Sequence, residues 1–149
     1  MLTLQFIMPL INGPISPEFI SGFIAKRNTD TASGAYAVFL GRVRADQMEG
    51  KTVAGIEYSA YDDMVESAEK EICRLMMEKH DQLTDIFIFH AAGIVNTGEI
   101  SLFVMVCSEH RKQAFCASEE TVELIKKHLP LWKKEFFDDG SYKWTENKV

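Results

Sequence analysis

The sequence predicts an α+β fold in which antiparallel strands and packed helices form one domain over residues 1–149. The length of 149 residues suits a single domain. The chain is 46% apolar and 26% charged, which is ordinary for a globular protein. Strand-like and helix-like segments follow each other without the regular βαβ alternation of a doubly wound sheet, so hairpins with packed helices are favoured.

The first element is a predicted helix that begins after Ser16. Ser16 is suited to the N-cap, and Pro17 suits the first helical position. An apolar stripe follows at helical spacing, formed by Phe19, Ile20, Phe23 and Ile24. The polar run 28–34 predicts a loop.

Two strands and the clearest helix come next. Residues 35–44 and 52–61 are rich in β-forming side chains, and the turn between them predicts a hairpin with a longer loop. The segment 62–80 predicts a helix that Asp62 could cap. Its apolar positions recur at helical spacing and are Val65, Ala68, Ile72, Leu75 and Met76.

The second half of the chain is predicted to contain two more strands, a second long helix and an aromatic tail. Residues 86–91 predict a short apolar strand, 96–98 a turn, and 99–107 a long strand. Ser108 is expected to cap a helix over 109–128, which Pro130 should end. The candidate core positions of this helix are Ala114, Phe115, Ala117, Val122 and Ile125. The tail 132–149 is aromatic and charged, with a turn at Asp139-Gly140.

Charge and cysteine content exclude several classes of protein. Lys and Arg number 16 against 22 Asp and Glu, and the net charge of −6 argues against a general nucleic-acid-binding protein. Cys73, Cys107 and Cys116 form no CxxC pair and have no metal-ligand spacing, so we expect no disulfide framework, no metal and a reducing, cytoplasmic compartment. The apolar start, 1–12, is too short to span a membrane and has no basic region of a signal peptide.

A local basic cluster stands out against this acidic background. The window 110–134 carries six basic and three acidic residues, a net charge of +3. For any single lysine, a solvated helix face with i,i+4 charge pairs is the favoured interpretation. Lys126 and Lys133 would share one face of an unbroken helix, but Pro130 lies between them. The proximity of Pro130 and Trp132 makes a plain surface harder to accept for the whole cluster.

Other candidate anion-binding residues lie outside that cluster. His110 and Arg111 lie at a predicted helix N-terminus, where backbone N–H groups favour anions, and a plain surface position is equally compatible. Arg42 and Arg44 alternate along a strand and could hold a phosphate together, although a solvent-facing strand end is favoured for them in isolation. His90 lies in an apolar strand and is interpreted as a core histidine. No Ser-His-Asp, HExxH or paired-carboxylate motif is present, so an enzyme here would use lysines and arginines on an anionic substrate.

Several segments together resemble one family, the large catalytic subunits of molybdopterin synthase. They are FLGRVR at 39–44, YSAYDDM at 58–64, HRKQAF at 110–115, Lys126 with PLWKKE at 130–135, and 140–144. The resemblance covers 34–144. It implies an α/β-hammerhead fold and a central homodimer. Each end of the homodimer would bind a small ubiquitin-like sulfur carrier with a C-terminal Gly-Gly thiocarboxylate, completing a heterotetramer. It also implies a sulfurtransferase of molybdenum cofactor biosynthesis, which moves sulfur to cyclic pyranopterin monophosphate and forms the molybdopterin dithiolene.

The resemblance also implies a set of site residues. Lys126 and Lys133 would be catalytic. Substrate would be bound by Arg42, Val43, Arg44, His110, Arg111, Lys126, Lys133, Lys134 and Glu135, with His110 and Arg111 supplied by the neighbouring subunit. Sulfur arrives on the carrier, so no cysteine, metal or cofactor of the chain is needed.

One position departs from the family pattern. Ala91 follows His90 where the family usually has arginine, and we expect this to remove one surface cation with a small effect. The alternative that Ala91 supports is a non-catalytic relative that binds a pterin phosphate or a carrier protein.

Overall fold

Eight strands and three helices make up the described residues, 9–145, of the computed structural model. The helices are α1 (Pro17–Ala25), α2 (Asp62–Lys79) and α3 (Arg111–His128). The strands are β1 (Leu10–Asn12), β2 (Ala35–Arg42), β3 (Gln47–Met48), β4 (Lys51–Ser59), β5 (Leu83–Asn96), β6 (Ile100–Ser108), β7 (Trp132–Phe137) and β8 (Tyr142–Thr145). The predicted α+β class is confirmed. The apolar stretch 1–12 lies mostly outside the described residues.

The strands form one sheet in the order β2-β6-β5-β4-β7-β8, with antiparallel neighbours throughout. β1 adds a short parallel pairing to β5, and β3 pairs with β4. The predicted hairpin of 35–44 with 52–61 is wrong, because β2 pairs with β6, whereas β4 pairs with β5 and β7. The short connection between β2 and β4 favours a hairpin. However, β6 is buried along almost its whole length and needs a strand on each edge, and β2 is one of the two strands that pair with it.

The strand predicted at 86–91 is much longer in the structure. β5 spans 14 residues and passes through Gly93, whose φ of 89° suits glycine alone. Its first half pairs with β6 and its second half with β4. β5 therefore links the two halves of the sheet. The sequence does not predict the strand beyond residue 91, because the alanines and glycine at 91–93 are weak strand formers.

Apolar side chains fill both faces of the sheet. Phe23 of α1 makes edge-on contacts with Phe87, Phe89 and Phe103. Helices α2 and α3 cover a second cluster of buried apolar side chains, which includes Ile72, Leu102, Val104 and Ile125. The start of α1 is confirmed, since the Ser16 side chain accepts the Phe19 N–H at 3.1 Å.

The two long helices begin differently from the prediction. The N-cap of α2 is Tyr61, without a side-chain bond, and Asp62 lies in the first turn, where its charge suits the helix dipole. Ser108 is buried at the end of β6 and donates to the Gln82 carbonyl at 3.1 Å, so it does not cap α3. His110 is the N-cap of α3. Phe115, expected in the core, is 70% exposed.

The end of α3 and the turn in the tail lie where the sequence predicts them. The helix ends at His128, before Pro130, as predicted. The predicted turn at Asp139-Gly140 is confirmed, and Gly140 has a φ of 84°. The tail around it forms the β7–β8 hairpin, which the sequence pattern alone does not indicate.

Candidate functional site

The structure brings Lys126 and Lys133 together although they lie on different elements. Lys126 is on the last turns of α3, and Lys133 follows the Pro130 bend on β7. Both side chains are half-buried. Tyr58 lies opposite Lys133 in the β4–β7 pairing, and its ring meets the His90 ring edge-on, with centroids 4.8 Å apart. We call these residues, together with Glu135, the lysine pocket.

Burial lowers the pKa of both lysines. It lowers the pKa of Lys126, and Glu123 opposes the change. Burial lowers the pKa of Lys133 to about 8; the charge of Lys126 adds to this effect and that of Glu135 opposes it. An amine with a pKa near 8 can both give and take a proton near neutral pH.

His90 is near enough to both lysines for their charges to act on it, and it is neutral at pH 7. Its ring is buried, and its Nδ1 donates to the Ala91 carbonyl at 2.8 Å. Burial lowers its pKa to about 4; the Ala91 bond opposes this change and both lysines reinforce it. The core interpretation of His90 is confirmed. The sequence does not indicate the influence of the two lysines on His90, because it acts between β5, α3 and β7, which are distant along the chain.

The segment Lys133-Lys134-Glu135 is divided by strand alternation. Lys133 and Glu135 point into the pocket side of β7, and Lys134 points to the other side. The Oε2 atom of Glu135 is buried and has no hydrogen-bond partner among the described residues. This oxygen is available to accept a hydrogen bond from a ligand.

The predicted arginine pair does not form one clamp. Arg42 ends β2 and donates from Nε and Nη2 to the Gly98 carbonyl, at 3.1 and 3.0 Å. Arg44 lies beyond the strand, exposed, with its Nη2 3.4 Å from Asp46. The register shifts between Gly41 and Arg42, so the regular alternation on which the clamp depended is absent. Val43, between the arginines, is buried in the core.

His110 and Arg111 are exposed at the opposite end of α3 from the lysine pocket. Arg111 precedes Lys126 by 15 residues on one helix, a rise of about 22 Å. Within one chain these residues therefore cannot share a small ligand with Lys126.

Residues 9–145 contain no group of three or more His, Cys, Asp or Glu side chains placed to hold a metal ion. In the same part of the chain, no helix is both long and apolar enough to cross a bilayer.

The fold and the lysine pocket define a class of protein: a small α+β protein in which two half-buried lysines from different elements lie close together. Comparison with known proteins gives the family. The family model described as MoaE protein matches residues 12–128. The chain belongs to the MoaE family, and the predicted resemblance is confirmed.

Curated relatives carry the description molybdopterin synthase catalytic subunit. The zebra finch (Taeniopygia guttata) protein is 37% identical over 115 residues, which cover 77% of this chain and 73% of the relative. The Dictyostelium discoideum protein is 36% identical, covering 80% and 76%. The Drosophila melanogaster protein is 35% identical over 93% of this chain, and the match spans only 37% of that longer relative.

Solved structures share the fold. The molybdopterin synthase from Staphylococcus aureus is 32% identical, with a TM-score of 0.79 and coverage of 93% of this chain and 96% of that one. A complex of subunits 1 and 2 of molybdopterin-converting factor from Helicobacter pylori matches with a TM-score of 0.76, covering 94% of this chain and 90% of that one. Its identity is 18%, so this second likeness shows the fold alone.

Proposed function

We propose that this chain acts as the catalytic subunit of a molybdopterin synthase in molybdenum cofactor biosynthesis. It would transfer sulfur from the C-terminal thiocarboxylate of a small ubiquitin-like carrier to cyclic pyranopterin monophosphate, forming the dithiolene. The observation that carries the proposal is the convergence of Lys126 and Lys133 on one half-buried pocket in a chain of this family.

The chemistry suits these residues. The Lys126 ammonium can stabilise negative charge that develops on the carbonyl oxygen of the thiocarboxylate. Lys133, whose pKa is about 8, can exchange protons with the substrate. Burial raises the pKa of the Cys73 and Cys107 thiols to about 12, which makes both poor nucleophiles. Delivery of sulfur by a carrier fits this arrangement.

Substrate binding is proposed at the cations and at Glu135. The Arg44 guanidinium is exposed, and among residues 9–145 its one ion pair is a long contact to Asp46, so it is available for a phosphate. Glu135 offers its unpartnered oxygen to an N–H group of the pterin. The predicted contacts of Arg42, Val43 and Lys134 with substrate stay predictions.

A complete site would need a second copy of the chain. Arg111 lies about 22 Å along α3 from Lys126, and His110 caps the same distant end of the helix, so the two can join a lysine pocket only when another subunit supplies them. We therefore propose a homodimer with two shared sites. With one carrier at each end, the assembly would be a heterotetramer, and we place it in the cytoplasm.

The expectation that Ala91 is a surface position is wrong. Ala91 is fully buried and packs in the core cluster with Phe89 and Val95. Successive strand residues face opposite sides, so Ala91 points away from the side on which His90 meets the lysines. Ala91 therefore leaves no gap on the pocket side, and the non-catalytic alternative loses the feature that favoured it.

Formation of the dithiolene in a purified system tests the proposal. The protein, the thiocarboxylated carrier and cyclic pyranopterin monophosphate are combined, and the product is measured by mass spectrometry. Product is expected only when all three are present. A carrier ending in an ordinary carboxylate is the matched control. Absence of product with the thiocarboxylated carrier would overturn the proposed activity.

A further inference from the structure

The turn that leads into α3 is held by backbone contacts from two other segments of the chain. The β2–β6 pairing ends at Ser108, and just beyond it the Gly34 N–H donates to the Ser108 carbonyl at 2.9 Å. The Gln82 carbonyl, immediately before β5, accepts the Glu109 N–H at 3.0 Å and the Ser108 hydroxyl at 3.1 Å. We call residues 108–110 the pre-α3 turn.

Gly34 approaches the pre-α3 turn so closely that position 34 has no room for a side chain. The Cβ atom of any other residue there would overlap the Glu109 carbonyl oxygen. Gly34 does not have a left-handed φ, so the requirement for glycine is one of space and not of backbone freedom. At Gly22 of α1, by contrast, an added Cβ would meet no described atom outside its own helix and chain neighbours.

The loop that carries Gly34 is firmly held. The Asp30 carboxylate accepts the Ser33 N–H at 3.2 Å and the Tyr36 hydroxyl at 2.7 Å. The Ser33 hydroxyl is in turn hydrogen-bonded to that of Thr84 at the start of β5. The loop therefore has little freedom to move away from the pre-α3 turn if a side chain is placed at position 34.

The pre-α3 turn is the side that can yield. His110 is the N-cap of α3, and its side chain makes no capping bond. The side chains of Glu109, His110 and Arg111 are all exposed, so core packing does not fix them. The first bond of the helix, from the Ala114 N–H to the His110 carbonyl, is long at 3.3 Å. A side chain at position 34 would therefore displace Glu109 and, with it, the two residues that follow.

We propose that Gly34 is a positioning residue for sulfur transfer: it fixes where His110 and Arg111 lie, and so how they enter the lysine pocket of the neighbouring subunit. This inference rests on the proposed function and its shared site, and it adds a residue that has no side chain to contact substrate. Displacement of a positioning group by about 1 Å can cost on the order of 10²-fold in rate. Because His110 and Arg111 serve the neighbouring subunit, Gly34 acts on that subunit's site and not on the site of its own chain.

The variant Gly34→Ala tests this role, with Gly22→Ala as the matched control. We expect kcat/KM for cyclic pyranopterin monophosphate to fall at least tenfold in Gly34→Ala. The Kd for the carboxylate form of the carrier, the dimer mass in sedimentation and the far-UV circular dichroism should match those of the native protein. Gly22→Ala should stay within twofold of native in every measurement, because its added methyl group meets open space.

Subunit mixing separates positioning from a general loss of stability. Mixed with Lys126→Ala, the Gly34→Ala protein should regain about a quarter of the native rate, because half of the dimers are mixed and each has one site with native lysines and a native pre-α3 turn. Mixed with Arg111→Ala, it should stay at the mean of the two separate rates, because both variants damage the same contribution to the neighbouring site. A merely destabilised protein would not distinguish between the two partners.

Several results would overturn the positioning role while leaving the proposed function intact, provided that the native protein transfers sulfur. They are a fall in kcat/KM of less than tenfold in a folded Gly34→Ala dimer, no recovery with Lys126→Ala, and recovery with Arg111→Ala. A fall in mass to that of a monomer would also overturn it, by assigning Gly34 to the subunit interface.

A second variant decides the question if Gly34→Ala does not fold. Ser108→Ala removes one bond from the pre-α3 turn to the Gln82 carbonyl and adds no atoms. It should lower kcat/KM at least threefold, with the carrier Kd within twofold of native, and a smaller fall would overturn the positioning role. A native protein that forms no product with the thiocarboxylated carrier overturns the proposed function itself.

Discussion

Replacing Lys126 with alanine is expected to slow sulfur transfer by about 10²–10³-fold, the usual cost of removing one preorganised electrostatic contact. The fold should survive, because Lys126 lies on the last turns of α3 and its side chain is only half-buried. Burial disfavours the charged form of this lysine, so its removal should not lower the free energy of unfolding at pH 7.

The same change should alter the titration of Lys133. The pKa of Lys133 is about 8 against an ordinary value of 10.5, and the charge of Lys126 contributes to that difference after burial. This lowering of the Lys133 pKa corresponds to at most about 3 kcal/mol, and solvent screening reduces it because Lys133 is partly exposed. Without Lys126, the pKa of Lys133 should rise above 8, and the alkaline limb of the pH–rate profile should move up with it.

Single-turnover formation of the dithiolene, with saturating carrier and substrate, measures both effects. Lys127→Ala is the matched control, since Lys127 is the exposed neighbour on the same turn, and its rate should stay within twofold of native. Lys126→Arg should also be slow, because the guanidinium is larger and cannot release its proton. A Lys126→Ala rate within fivefold of native would refute the assignment of Lys126.

Three further predictions follow from the same contacts. The rate of the native protein should titrate with an apparent pKa near 8, and Lys133→Arg should abolish that limb, since arginine stays protonated; an unchanged limb would assign it to another group. Mixing inactive Lys126→Ala and Arg111→Ala proteins should restore about a quarter of the native rate, because each mixed dimer regains one intact site; no recovery after subunit exchange would mean that the sites are not shared. Burial, reinforced by Glu66, raises the pKa of Glu69 to about 8, so the folded protein keeps a proton that the unfolded chain loses above pH 4.5. Glu69 therefore lowers the free energy of unfolding progressively as pH rises from 4.5 to 8. Glu69→Gln should raise that free energy by up to about 5 kcal/mol at pH 8, but by less than 1 kcal/mol at about pH 5. Urea denaturation at the two pH values checks this, and an equal gain at both would contradict the buried-acid explanation.

Features that depend on a few neighbouring residues could be predicted from the sequence. The cap at Ser16, the stop before Pro130 and the turn at Gly140 follow from local hydrogen bonding and backbone restriction, and the structure has all three. The family was also accessible, because its motifs are short segments whose order is visible along the chain. The basic cluster at 110–134 was visible in the same way.

Pairings between distant segments could not be predicted in this way. The 35–44 strand has the same β-forming pattern whether it pairs with β4 or β6, and only the burial of β6 decides between them. Asp62 and Ser108 have side chains suited to helix caps, but the strand before each helix fixes where that helix begins. Asp62 is the first residue of α2, and Ser108 lies three positions before the first residue of α3.

The candidate site shows the same division. The sequence alone determined the residue types of Lys126, Lys133, His110 and Arg111, and hence the local basic character on which the predicted anion site depends. The fold decided which of these residues meet. The bend after His128 lets β7 pair with β4, and this places Lys133 near Lys126 and His90. The rise of α3 holds Arg111 about 22 Å away from Lys126. The lowered pKa of Lys133 exists only in that arrangement, because burial and the neighbouring charge that cause it come from segments brought together by packing.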